Sequence, residues 1–290
     1  MSSILTNNGA IVALQTLKNV NSSLNKAQSE ISTGKSINNA QDNAAIWAVS
    51  KIMETDQSAN KTIQSMLNVA GQTVATARVG AEEVGKLLTD IKNLAIGAAS
   101  STTEPEKAKI TNDINLKFEQ IAAVISGTQM NGVNLLKSAT APAGELKVLG
   151  SLDRAAGTAV TTKNMITVDN VGLDTALNLD LTTGATTSFT ATTLDTDAAR
   201  QTFIGAMETA ISSVVAKTAE LGSAGKRITD QADFVGKLAD SLKQGIGSLV
   251  DADMEEASAR LQALQTQQQL GIQALSIANQ APSAILSLFR

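Results

Sequence analysis

Apolar residues near the N-terminus recur at alternating intervals of three and four: Ala10, Ala13, Leu17, Val20, Leu24, Ala27 and Ile31. That spacing keeps one stripe on one side of a helix and predicts a coiled-coil seam over 10–31. The frame stops in Ser32-Thr33-Gly34-Lys35-Ser36-Ile37-Asn38-Asn39, where Gly34 and the paired asparagines predict an extended connector. A second frame runs Val49, Ile52, Asp56, Ala59, Ile63, Met66, Ala70, Thr73, Ala77, Gly80, Val84, Leu87, Ile91, Leu94, Ala98. As one helix it measures about 75 Å, a length reached by coiled coils and rarely by globular helices. Thr103-Glu104-Pro105-Glu106 reads as a capping box with proline in the first turn. It predicts a helix with the stripe Ile110, Ile114, Phe118, Ile121 and Ile125, ended by turns at Gly127 and Asn131-Gly132.

Between about 139 and 196 the heptads vanish. Glu145-Leu146-Lys147-Val148 and Met165-Ile166-Thr167-Val168 predict short strands, and Leu177, Leu179 and Leu181 alternate with polar residues as in a half-buried strand. Threonines crowd 182–196, so this stretch reads as a small β-rich insert with exposed Ser/Thr loops.

The third frame is the cleanest: Ile204, Met207, Ile211, Val214, Thr218, Leu221, Gly225, Ile228, Ala232, Val235, Ala239, Leu242, Ile246, Leu249. A fourth continues through Val250, Met254, Ala257, Leu261, Leu264, Gln268, Gly271, Leu275 and Ala278. The four-residue step from Ile246 to Val250 is a stutter that locally unwinds a supercoil. Beside Gly245 and Gly247, it predicts a break at about 247, the counterpart of the N-terminal connector. Pro282 is expected to close the last helix.

Composition narrows the chemistry. The 290 residues carry 23 Lys+Arg against 27 Asp+Glu, and there is no His, Cys or Tyr. Most zinc, haem, iron–sulfur and nucleophilic-triad sites need residues this chain lacks, so no catalytic, cofactor or metal site is expected. An acidic balance with 2% aromatic residues argues against nucleic acid, which calls for basic faces and stacking rings. No run of about 18 apolar residues predicts a membrane span, and no basic-then-apolar leader predicts a cleaved signal. The acids Asp251, Asp253, Glu255 and Glu256 point around a helix rather than converging on a metal, and read as its solvated start. Gly222-Ser223-Ala224-Gly225-Lys226 lacks the spacing and preceding strand of a phosphate loop.

Charge distribution carries more. Segment 1–31 holds only Lys18, Lys26 and Glu30 as charged side chains, and after Glu256 only Arg260 and Arg290 follow. A solvated helical pair normally carries Glu and Lys on its outer faces. Two ordinary packed helices are one reading. The sharper one is that both faces are covered, one by the chain's other end and one by neighbouring copies, with the ends weakly ordered alone.

The run Glu30-Ile31-Ser32-Thr33-Gly34-Lys35-Ser36-Ile37-Asn38-Asn39-Ala40-Gln41-Asp42-Asn43-Ala44-Ala45 is similar to the signature of bacterial flagellins. Gln273 to Pro282 and Leu286-Ser287-Leu288-Phe289-Arg290 resemble the flagellin C-terminus, and Gly127 to Val133 resembles a third element. The likeness covers roughly 1–138 and 200–290. It departs at Ile46-Trp47, where Gly-Leu is common, and at Lys35-Ser36, where Arg often precedes Ile. Trp47 is expected in the core.

The resemblance implies a mainly α fold: a long coiled-coil helical rod from both chain ends, with a small β-rich central insert. It implies an inner terminal helical domain (1–37 and 247–290), a rod-like helical domain (38–138 and 200–246) and an outer insert (139–199). It further implies a secreted structural subunit that polymerises into the extracellular flagellar filament for swimming. Partners would be other copies, the flagellar export apparatus, a secretion chaperone, and the filament cap and junction proteins. Leu17, Val20, Leu24, Ile31, Leu261, Leu264, Leu275, Leu286 and Phe289 are the expected self-assembly residues of the inner helices. Thr183, Thr187, Thr190 and Thr193 are expected glycosylation positions in outer loops. Flagellins seen by the Toll-like flagellin receptor carry an Arg where this chain has Asp90, and a Gln where it has Gly97. Weak receptor activation is therefore expected. A hook–filament junction protein and a secreted coiled-coil translocon protein are the competing readings.

Overall fold

The computed structural model describes residues 7–100, 103–138, 145–152, 164–181 and 196–288, with backbone alone at 100, 104 and 281–288. The helices are α1 (Asn8–Thr33), α2 (Ala44–Gly97), α3 (Glu104–Gly127), α4 (Leu173–Ala176), α5 (Asp197–Val250) and α6 (Met254–Leu288). Strands β1 (Leu146–Leu149) and β2 (Met165–Val168) form one antiparallel pair, with Leu146 opposite Val168 and Leu149 opposite Met165. The mainly α expectation holds, and both short strands lie where β-branched and apolar residues cluster.

Local chemistry sets the helix ends. The Asn7 side chain accepts a hydrogen bond from the Ala10 amide at 3.1 Å and caps α1. Gly34, at φ 69°, ends it by donating its N–H to the Glu30 carbonyl, a left-handed cap that glycine adopts without strain. Thr103 takes the extended N-cap position of α3 with proline in the first turn, but its side chain makes no capping hydrogen bond. The expected capping box is therefore not closed from the threonine side.

The described chain divides into two compact units, one within 1–57 and 240–290, the other within 58–239. In the second, α2 and α5 run side by side, and a Cβ added at Gly71, Gly85 or Gly225 would meet Ile228, Val214 or Val74. Helix α3 supplies Ile114, Phe118, Ile121 and Ile125, all at most 2% exposed. Leu135, Leu136, Leu177 and Leu173 of α4 join this core. Gly80 is required by close approach: a Cβ there would sit 2.5 Å from Thr128 Oγ1 and 2.8 Å from Leu136 Cδ1.

Five expectations need correction. The α2 seam runs Ile63, Leu67, Ala70, Val74, Ala77, Ala81, Val84, Leu88, Ile91, Ala95, Ala98. Every second position is thus one residue later than expected, and Met66 is 48% exposed. From Thr73 onward the neighbouring column (Thr73, Gly80, Leu87) is buried as well: Thr128 and Leu136, which follow α3, lie against Gly80, and Lys117 of α3 reaches Asp90. Leu177 and Leu179 are buried and Asn178 exposed, so the alternation of burial is real. The backbone, however, turns after α4 at Leu177 and Asn178 (φ 47° at Asn178), and Leu179 makes only a single-residue β-bridge, so no strand runs over 177–181.

The break expected at 247 falls at 251–253. Gly245 and Gly247 stay helical, the Asp251 amide still bonds the Gly247 carbonyl, and Asp253 starts α6 by accepting from the Glu255 and Glu256 amides. Nor does Pro282 end α6, which continues to Leu288. Trp47 is half-buried rather than in the core.

Candidate self-assembly surface

Within the first unit, α1 lies antiparallel against α6. Asn7 Nδ2 donates to the Ala278 carbonyl at 2.7 Å, and Gln268 Nε2 donates to Asn21 Oδ1 at 2.7 Å. Between these two contacts a Cβ on Gly271 would come within 3.3 Å of Leu17 Cδ1, so the helices approach closely there. Gln268 occupies a seam position, and a paired polar group in a seam specifies register at some cost in stability.

The seam is thin. Leu24, Ala27 and Ala257 are buried, whereas Leu17, Val20, Ile31, Leu261, Leu264 and Leu275 are half-buried. Leu286 belongs to α6, with only its backbone described, and Phe289 lies outside the described residues. On the other faces Val12 is 63% and Ile277 69% exposed, with Ile11, Leu14, Leu270 and Ile272 also open to solvent. Few charges accompany them: α1 has only the Lys26–Glu30 pair and Lys18, and α6 has none after Arg260 within its length. A monomer gains nothing from such faces, while covering one Leu or Ile side chain contributes about 1.5–3 kcal/mol.

The two breaks in the terminal helices are joined to each other. Ser36 donates its amide (2.8 Å) and its hydroxyl (3.1 Å) to the Val250 carbonyl, and the Ala252 amide donates to the Gly34 carbonyl at 3.0 Å. Lys35 and Asp251 thus form a one-residue antiparallel bridge. Asp42 secures the rest of the connector by accepting from the Asn38 and Asn39 amides. Lys35 also reaches Glu54 at 3.6 Å. A hydrogen bond from Lys51, aided by the charges of Lys51 and Lys35, holds the Glu54 carboxyl below its ordinary value against the opposing effect of burial.

This connector pairing was missed in the sequence, although its signal was there: two seam breaks, one in each chain end. Lys35-Ser36, the point of departure from the common flagellin pattern, supplies half of it.

Asp90 lies on the exposed side of α2 and accepts from Lys117 of α3 at 2.8 Å. Gly97 is exposed at the end of α2, with open space where a Cβ would sit. Thr183, Thr187, Thr190 and Thr193 lie outside the described residues. Among the described residues no group of three or more acids could hold a metal, and no helix is long and apolar enough to cross a membrane. Glu256 pairs with Arg260, and the acids at 251–256 are exposed, as their reading as a solvated helix start requires.

Comparison with known proteins gives these features a context. The family model for the bacterial flagellin N-terminal helical region matches residues 4–141, and that for the C-terminal helical region matches 204–289. A flagellin of Brucella melitensis is 38% identical over 290 residues, covering all of both chains. Flagellin FljM of Caulobacter vibrioides is 38% identical over 291 residues, covering all of this chain and 99% of its own. Flagellin C of Rhizobium meliloti is 34% identical, again over the whole of both chains. With a matching family model at each end and full-length relatives at 38% identity, the chain belongs to the bacterial flagellin family.

Proposed function

We infer that this chain is the structural subunit that polymerises into the bacterial flagellar filament for swimming motility. One observation carries the mechanism: both chain ends pair into one thin seam whose outward faces are apolar and nearly free of charge. Copies stacked by contacts that do not close into a ring grow into a filament, and these faces are the surfaces such contacts would cover. Leu17, Val20, Leu24, Ile31, Leu261, Leu264 and Leu275 hold the pair together. Ile11, Val12, Leu14, Leu270, Ile272 and Ile277 meet the neighbouring copies. No chemistry beyond binding is required, and the protein is read as a non-enzyme.

We extend this reading to the finer picture that the flagellin resemblance implies. Residues 1–37 and 247–290 form the inner terminal domain of the filament, 38–138 and 200–246 the rod-like helical domain, and 139–199 the outer insert. The chain leaves the cell through the flagellar export apparatus with a secretion chaperone, and is placed between junction and cap proteins on the extracellular filament. Threonine-linked sugars sit on the insert at Thr183, Thr187, Thr190 and Thr193.

Electron microscopy of the purified, seeded protein tests the reading. Long uniform tubes are expected. Short assemblies or monomers under all seeding conditions would contradict it and favour a junction protein.

A further inference from the structure

Pro282 stands inside α6, a place where proline normally breaks a helix. Its nitrogen carries no hydrogen, so the carbonyl four residues earlier, that of Ala278, loses its intrahelical donor. That carbonyl is the one Asn7 Nδ2 reaches at 2.7 Å from the far end of the chain. The same side chain offers Oδ1 to the Ala10 amide, one of the donors left over at the start of α1. The amide orientation is fixed by this pair of contacts: flipped, it would set oxygen against a carbonyl and NH₂ against an N–H.

We propose that Asn7 is a positioning residue for assembly, replacing the backbone donor that Pro282 removes and so making the end of α6 conditional on α1. Without α1, α6 past Ala278 has one hydrogen bond fewer and an unsatisfied carbonyl. With α1 docked in register, one amide satisfies an orphan acceptor of α6 and an orphan donor of α1 together. The Gln268–Asn21 contact sets the same antiparallel register further along, and a slip of one residue would break both. Pro282 then penalises every arrangement in which the chain ends are not paired with each other.

The experiment compares four full-length chains: wild type, Asn7→Asp, Pro282→Ala and the double variant. Aspartate keeps the helix-capping acceptor, and its charge suits the start of α1. It replaces the donor, however, with an oxygen that cannot serve the Ala278 carbonyl, which separates the clasp from capping. The readouts are the critical concentration for seeded polymerisation and hydrogen exchange over 279–288 in the assembled state. Asn7→Asp is expected to raise the critical concentration about tenfold and speed exchange in that segment. Beside Pro282→Ala, whose new N–H serves Ala278, the same change is expected to cost about threefold or less. An equal penalty in both backgrounds, or no penalty beside Pro282, would overturn the proposal.

The polymerisation readout rests on the filament reading, and the two fail differently. If the wild type never polymerises, that reading fails, and with it the expectation that the ends order only on assembly; exchange on the four monomers then decides the clasp by the same pattern. A pattern lacking the rescue by Pro282→Ala overturns it there too.

Discussion

The two compact units share the helices α2 and α5 and use the same alternation of three and four, yet they bury very different amounts. In the second unit α2 has α5 on one side and α3 on the other, so Leu87 and Leu88 are both buried. In the first, α1 packs against α6, and among the described residues of its seam only Leu24 and Ala27 are buried. Heptad spacing decides which residues face a partner, whereas the number of partners decides how wide a stripe is buried. One unit has a wide core of its own, and the other leaves apolar faces open.

The largest effect belongs to the wide core. Phe118 is 2% exposed among Ile114, Ile121 and Ile125, so Phe118→Ala is expected to cost about 3–5 kcal/mol of stability. Denaturant unfolding of the monomer measures it, and a loss below about 1 kcal/mol would break the contrast between the units. Leu24→Ala sharpens the contrast from the other side. It should leave the main unfolding transition of the monomer in place while costing about 2–4 kcal/mol per subunit in the polymer, read as a raised critical concentration. Equal effects on monomer and polymer would show the first unit to be as self-sufficient as the second.

These two sites also show what the sequence can and cannot convey. The stripe of α3, the two strands and the terminal seams were legible, because each depends on a period visible within one segment. The α2 seam was read one residue out of phase at alternate positions, since Met66 and Leu67, or Leu87 and Leu88, are equally apolar neighbours. Only the partners packed on each side of α2 show which of them is buried: Leu67 alone of the first pair, and both of the second. The turn at Leu177–Leu179 imitates a strand for a related reason: alternating burial does not require an extended backbone. Pro282 looked like a stop because its rescue comes from Asn7 at the opposite end of the chain. The connector bridge likewise joins Ser36 to Val250, and no local pattern contains both.

Smaller effects concern the surface. Asp90→Arg removes the ion pair with Lys117 and places like charges together. An exposed pair is worth about 0–1 kcal/mol, so the monomer should melt nearly as before. In a cell reporter for the Toll-like flagellin receptor the wild type is expected to be weak and Asp90→Arg stronger, because arginine supplies a multi-donor group that often dominates interfaces. Potency of the wild type equal to that of a strongly stimulating flagellin would refute this.

The smallest effect is electrostatic and belongs to the first unit. The folded Glu54 carboxyl titrates lower than the unfolded one, so its contribution is complete above the ordinary value of 4.5 and is lost as pH falls through the depressed folded value. Glu54 is one-third exposed, and solvent screening keeps the contribution under about 0.5 kcal/mol. Comparing wild type with Glu54→Gln across that window should show the difference vanish in acid; a difference that grows in acid would contradict the assigned pairing.

The terminal helices are expected to be sustained by neighbouring copies, while the second unit sustains itself. Hydrogen exchange on monomer and polymer, compared segment by segment, tests this most directly. Slow exchange over α2 beyond residue 58 and over α3 is expected in both forms. Over 8–33 and 254–280, exchange should be fast in the monomer and slow only after assembly. Equal protection of those two segments in the monomer would contradict the account.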